Sequence, residues 1–268
     1  MKHKKRPTIG LALGSGGARG LAHIGVIKAL LEAEIPIDLI AGTSAGAVIG
    51  GMYAFNKDIY AVESFWNNVN YPELFKMFID PSVGSGLIKG KRAKAFSESF
   101  FGKITIEKLL IPFVAVATDI VTGTTVELKK GVLSDAIRIS TSVPLMFEPV
   151  KKGKKILVDG GLTQPIPVES ARALGADIVI AVNIDSAFFS EKNQYRGEKL
   201  PSMRDMAKST IQLLRYSLAE AGCKDADIVV KPNLPITYLR GWLDSDELIH
   251  EGEIAMKAML PELKKLLA

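Results

Sequence analysis

One cysteine, Cys223, stands in a chain of 268 residues. An intrachain disulfide therefore cannot form, and a zinc cluster built from cysteines is excluded. Histidine is nearly as scarce: His3, His23 and His250 are too few for a histidine-rich metal centre, and no cofactor is expected. Long apolar runs are lacking too. Ile9–Leu13 is shorter than the roughly 7–15 apolar residues of a secretory signal. Leu39–Asn56 runs for 18 residues without a charge, near the ~18 of a membrane span. Four of those residues are glycine, however, and Gly42-Thr43-Ser44 reads as a turn, so a buried strand–turn–helix fits better. Excess positive charge is confined to one end. The net charge is +5, of which Lys2, Lys4, Lys5 and Arg6 supply four. The remainder makes no nucleic-acid groove. What is present is ordinary: 47% hydrophobic and 24% charged residues describe a globular chain, neither disordered nor fibrous. A cytoplasmic protein is expected, with peripheral contact to anionic lipid through the basic tail, residues 1–7, left open beside the reading of a solvated terminus.

Residues 8–268 read as one domain, with no repeat and no break in composition. Thr8–Leu13 reads as an apolar strand, and Arg19–Glu34 as a helix with Leu21, Ile24, Ile27 and Leu31 on one stripe. Pro36 ends it. Ile37–Ala41 is a second strand. Ala45–Phe55 is a helix apolar on all sides, as a fully buried one would be. Strand and helix alternating with short connections predict an α/β fold, a mostly parallel central sheet covered by helices on both faces. Asp58–Lys103 reads as mainly helical and rich in aromatics, either core or the lining of an apolar channel. Phe113–Thr118 is a strand, and hairpin turns follow at Val121–Val126 and Lys151–Lys155. The last third returns to α/β: helices at Pro167–Leu174, Ser202–Gly222 and Asp244–Leu267, strands at Asp177–Asn183 and Ala226–Lys231. Ser186–Pro201 is a polar loop that carries Phe188 and Phe189.

Gly42-Thr43-Ser44-Ala45-Gly46 has the G-x-S-x-G form, placed after an apolar strand and before a buried helix. In that context the serine sits on a sharp strand-to-helix turn, and the helix N-terminus behind it favours developing negative charge. Gly42 and Gly46 let the backbone pass close to its neighbours. A second glycine loop, Gly14-Ser15-Gly16-Gly17-Ala18-Arg19-Gly20, separates the first strand from the first helix. It fails the dinucleotide fingerprint G-x-G-x-x-G, because Arg19 occupies the last position, and it lacks the G-K-[ST] of a phosphate loop. Its other reading is an oxyanion hole made by the N–H groups of Gly16, Gly17 and Ala18. A nucleophilic serine needs a base. His23 is expected to pack beside the glycine loop and His250 to face solvent, so a Ser-His-Asp triad is one option and a carboxylate base the other. Asp159 ends an apolar strand and is followed at once by Gly160 and Gly161, which leaves room for close approach. An ordinary Asp-Gly turn would look the same.

Together these segments resemble the patatin-like phospholipase family. The resemblance rests on S-G-G-A-R-G at residues 15–20, G-T-S-A-G at 42–46 and D-G-G at 159–161. Thr141–Pro144 and Gly161–Pro167 also look like family segments. The likeness runs from about Ile9 to about Ile184 and is nearest to stand-alone bacterial members similar to the catalytic domain of neuropathy target esterase. It implies a Ser44–Asp159 dyad without histidine, an oxyanion loop at Gly16–Ala18, and Arg19 bracing that loop or meeting a phosphate. It implies a mixed α/β sandwich, catalysis without metal, and a lipid acyl ester as substrate. Ser15 departs from the pattern, standing where many members have the first of three glycines. Three other functions compete: a catalytically idle adaptor of the same fold, a nucleotide-binding protein using the glycine loop, and an acyltransferase that shares the first half-reaction.

Overall fold

A computed structural model of the chain describes residues 6–69, 80–81, 86–186, 200–234 and 245–268. The loop with Phe188 and Phe189, the aromatics Tyr71, Phe75 and Phe78, and the residue Asp244 lie outside these.

The chain opens with β1 (Ile9–Leu13), α1 (Ala22–Glu32), β2 (Leu39–Thr43), α2 (Ala45–Asn56) and α3 (Ile59–Asn67). Next come β3 (Gly86–Ile88), α4 (Lys91–Phe101), β4 (Phe113–Asp119), β5 (Thr124–Leu128) and α5 (Leu133–Ser140). Then follow β6 (Leu145–Phe147), β7 (Val150–Lys152), β8 (Lys155–Asp159) and α6 (Val168–Ala173). The last elements are β9 (Ile178–Val182), α7 (Met203–Gly222), β10 (Ile228–Val230) and α8 (Ser245–Leu267). Among the described residues the main sheet has the order β10-β9-β1-β2-β4-β8-β7, with β5 also paired to β4. Strands β10, β9, β1, β2 and β4 are mutually parallel, whereas β5, β7 and β8 run antiparallel to their neighbours. The expected mostly parallel α/β architecture is present.

Side-chain alternation builds two cores of unequal size. Ile9, Leu11 and Leu13 of β1, with Ile178, Ile180 and Val182 of β9, face the layer of α1, α2, α5 and α8. Each such buried side chain contributes about 1.5–3 kcal/mol. The opposite face carries smaller groups, Ala12, Ala41 and Ala181, against α6 and the C-terminal end of α7. Helices α1 and α8 touch backbone to backbone. A Cβ on Gly25 would fall 1.8 Å from the Ile249 carbonyl, and one on Gly252 would fall 2.0 Å from that of Ala22. Only glycine permits that crossing.

Several local expectations shift. The first helix begins as a 3₁₀ turn, Gly17–Leu21, before α1. The second strand reaches on through Thr43, because it pairs along both β1 and β4. Within the segment read as helical, Gly86–Ile88 is a strand paired with β6. Among its described aromatics, Phe65, Trp66, Phe96, Phe100 and Phe101 join the core, whereas Tyr60 is exposed; Phe65 packs on Phe100 with ring centroids 4.9 Å apart, and Phe55 packs on Phe101. Arg6, expected in the solvated tail, makes a bidentate pair with Asp38 at 2.6 and 2.7 Å.

Candidate active site

The sheet itself brings Ser44 and Asp159 together. Strand β4 has two edges, and β5 runs along one of them, pairing with residues 115–119. On the other edge β2 pairs up to Val116, opposite Thr43, and β8 takes over at Ala117, opposite Asp159. Thr43 and Asp159 therefore face successive residues of one strand, and Ser44 is the next residue along the chain. The Thr43 hydroxyl also donates to the Gln164 carbonyl at 2.8 Å, tying the end of β2 to the segment that follows Asp159.

Ser44 turns the chain with φ +54° and ψ −117°, a conformation unfavourable for any residue with a side chain. Its surroundings hold it there. The Ser44 N–H donates to Ser140 Oγ at 2.9 Å, and that hydroxyl donates to the Val116 carbonyl at 2.6 Å. The Ser44 carbonyl accepts from the N–H groups of Ala47 and Val48, so α2 starts at once. Gly46 in its first turn lies against β1, where a Cβ would come 2.0 Å from the Leu13 carbonyl. Gly42 and Gly160 line the same crowded junction.

Asp159 is buried at the end of β8. Its N–H donates to the Ser142 carbonyl at 2.9 Å, and its Oδ1 accepts from the Gly161 N–H at 2.7 Å. Burial pushes its pKa up from 3.8 to about 6, against smaller lowering effects from the Ser44 hydroxyl and the Gly161 N–H. The Ser44 hydroxyl is thus near enough to favour the carboxylate, while Oδ2 has no aligned hydrogen-bond partner. Ser15 Oγ is likewise buried and unpaired, and it lies on the side of Gly161 where a Cβ would be 3.2 Å from it and 3.0 Å from Asp159 Oδ1.

The glycine loop divides its amides. Gly14 and Ser15 donate theirs to the carbonyls of Val182 and Pro165 at 3.2 and 2.9 Å. The N–H groups of Gly16, Gly17 and Ala18 open the 3₁₀ turn, where helical geometry offers no acceptor, and none faces them among the described residues. Arg19 points inward. Its guanidinium pairs with Asp185, a fully buried carboxylate whose other oxygen takes Arg215 at 2.8 Å. The pair ties the glycine loop to Asp185, just beyond the end of β9.

Among the described residues neither histidine is hydrogen-bonded to Ser44 or Asp159. His23 is fully buried, with Nε2 at 2.8 Å from the Gly14 carbonyl. A carbonyl only accepts, so Nε2 carries a proton. Burial lowers its pKa to about 4. His250 is exposed on α8. Sequence reasoning missed Ser140, Asp185 and Arg215. Ser140 is a buried serine on the inner face of an amphipathic helix, which was a readable signal. The Asp185 cluster depends on tertiary contacts and left none. Among the described residues no group of three or more His, Cys, Asp or Glu is placed to hold a metal ion. No described helix is long and apolar enough to cross a membrane.

A mostly parallel sheet between helical layers, with a glycine loop after its first strand and a serine elbow after its second, defines a patatin-like α/β sandwich. The family model for patatin-like phospholipases matches residues 11–172. The chain belongs to the patatin-like phospholipase family. It is 38% identical over 183 residues to an uncharacterized NTE family protein of Mycobacterium tuberculosis, covering 68% of this chain and 50% of that one. It is 33% identical over 202 residues to lysophospholipase nte1 of Emericella nidulans, covering 73% of this chain and 13% of that one. The chain thus spans about half the length of the first curated relatives it matches. Among solved structures, VipD from Legionella pneumophila superposes with a TM-score of 0.51 at 11% identity, covering 96% of this chain and 67% of that one.

Proposed function

We propose that this chain is a serine hydrolase of lipid acyl esters that works with a Ser44–Asp159 dyad. The observation that carries the reading is the junction on β4, where a serine on a strained elbow meets a buried carboxylate with a pKa of about 6. A base with that pKa is ionised at neutral pH and remains basic enough to take a proton. Ser44 Oγ bonds to the acyl carbon, its proton passes to Asp159, and the leaving alcohol takes that proton as the ester bond breaks. Water then attacks the acyl group, gives a proton to Asp159, and Ser44 is released protonated. The N–H groups of Gly16, Gly17 and Ala18 receive the oxyanion. Each such donor is worth roughly 100- to 1,000-fold in rate. The family membership and the lysophospholipase name of the Emericella relative favour a lipid ester over other acyl substrates. A nucleotide role is disfavoured, since the loop has Arg19 where the dinucleotide fingerprint needs its last glycine and lacks the G-K-[ST] of a phosphate loop.

The test is turnover of a p-nitrophenyl acyl ester series by the wild type, Ser44→Ala, Asp159→Asn and a His23→Ala/His250→Ala variant, with fluorophosphonate labelling of Ser44. Both dyad variants are expected at background and the histidine variant active. Failure of Ser44 to label would replace the enzyme with an adaptor of the same fold. Addition of methanol separates transfer to an alcohol from hydrolysis.

A further inference from the structure

We propose that the small sheet β3–β6, together with the lysine-lined cleft beside it, docks this protein on an anionic phospholipid bilayer. The proposal takes its purpose from the reading of Ser44 as a lipid esterase, but its geometry stands apart from it.

The two strands pair in parallel, Gly86 with Leu145 and Ile88 with Phe147, which sets Leu87 level with Met146. Ile88 and Phe147 are buried and anchor the sheet. Leu87, Leu145 and Met146 are 73%, 81% and 42% exposed, three aliphatic side chains bare at one tip. Leu145 is held out there with φ +69°. An exposed apolar tip of this kind marks an interaction site.

Lysines gather close in sequence to both strands, at the exit of β3 and, past the acidic Glu148, in β7. After β3 come Lys89 and Lys91, and after β6 come Lys151 and Lys152. With Lys94, these lysines line one cleft of about 470 Å³, opposed by Asp135 and Glu148. Lys94 is paired to Asp135 at 2.7 Å. Among the described residues Lys89, Lys91, Lys151 and Lys152 have no carboxylate within salt-bridge distance. Aliphatic side chains at a tip with unpaired lysines behind them match a bilayer edge, where acyl chains lie beneath anionic headgroups.

The dock is joined to the site by hydrogen bonds. Arg138 on the cleft floor donates to the carbonyls of Gly90, Lys89 and Glu148 and to the Ser142 hydroxyl. Its guanidinium also lies 5.2 Å from the Phe147 ring centre. Ser142 in turn accepts the Asp159 N–H. The sheet β3–β6 is thus tied through Arg138 and Ser142 to the backbone of Asp159.

Cosedimentation with vesicles of phosphatidylcholine, alone or mixed with phosphatidylglycerol, tests this on the full chain. The wild type is expected to bind the mixed vesicles, less so as salt is raised. A Lys89→Ala/Lys91→Ala/Lys151→Ala/Lys152→Ala variant should bind far more weakly, at about fivefold per lysine and on the order of a hundredfold or more together. A Leu87→Ser/Leu145→Ser/Met146→Ser variant should lose the binding that survives in high salt. Both should turn over a short-chain p-nitrophenyl ester like the wild type, which reports an intact fold and site. Wild-type vesicle binding by both variants overturns the proposal. So does loss of binding from a Lys2→Ala/Lys4→Ala/Lys5→Ala variant alone, which would assign the contact to the basic tail. Failure of Ser44 to label, with vesicle binding still lost in the lysine variant, would overturn the esterase reading and leave the dock standing.

Discussion

Ser140 holds Ser44 by its backbone: one hydroxyl accepts the Ser44 N–H at 2.9 Å and donates to the Val116 carbonyl at 2.6 Å. The strained φ of Ser44 is thus supported by a side chain from α5, on the strand that also fixes Asp159. Ser140→Ala leaves a buried donor and a buried acceptor unpaired, and should lower stability by about 1–3 kcal/mol. It should also reduce kcat with little change in KM. Ser140→Thr, which keeps the hydroxyl, is expected to recover part of both in urea melts and ester turnover.

Ser44→Gly should separate function from stability. Glycine adopts positive φ without the penalty that serine carries, so this variant is expected to be inactive yet more stable, by on the order of 1 kcal/mol. Equal or lower stability in urea would show that the elbow stores no strain.

The pKa of Asp159 gives a pH dependence with a definite sign. As the proposed base it must be ionised, so kcat/KM is expected to fall below pH about 6 and to be level above it. For stability the direction is opposite. The folded state holds this proton more tightly than the unfolded chain, which stabilises the fold at low pH. That contribution is lost as pH rises from about 4 through about 6. Asp159→Asn should therefore be the more stable protein above pH 6, by at most roughly 3 kcal/mol, with the difference vanishing near pH 4. Thermal melts of both proteins across that range check it.

His23 contributes the other sign. Its folded pKa is depressed from 6.5 to about 4, so its stabilising effect is complete above 6.5 and is lost as pH falls toward 4. His23→Gln keeps an N–H donor for the Gly14 carbonyl. It should remain active while its stability varies less with pH across this window. Loss of ester turnover in this variant would point to a histidine base instead.

Asp185 carries the charge balance beneath the glycine loop. Asp185→Asn removes the buried carboxylate that Arg19 and Arg215 share and should cost about 3–5 kcal/mol. An Arg19→Met/Asp185→Leu variant is expected to cost much less. Arg215 is only partly buried and can turn to solvent once its partner is gone.

The parts of the fold that could be read in advance were those set by neighbours in sequence. The apolar runs of β1 and β2, the all-round apolar α2 and the three glycine motifs are local patterns, and they appear with small shifts at their ends. Strand β3 was hidden because its three residues gain strand form only by pairing with β6, far along the chain. The 3₁₀ entry to α1 was hidden for a similar reason: Arg19 turns inward to meet Asp185, and no periodicity records that partner. At the site, Ser44 and Asp159 announced themselves by their flanking glycines. Ser140 showed only as a serine on the inner face of an amphipathic helix, and Asp185 has no such sign, its importance coming from what packs on it.

The handover on β4, where β2 stops at Val116 and β8 begins at Ala117, ties the site to the parity of strand length. Removing a single residue from Lys155–Leu157 would draw the end of β8 back by one position and point the Asp159 side chain to the opposite face of the sheet. Such a deletion removes no catalytic group, yet it would silence the site as fully as Asp159→Asn. In a library of insertions and deletions, the β7–β8 hairpin should tolerate changes in its turn and reject odd-numbered changes within β8.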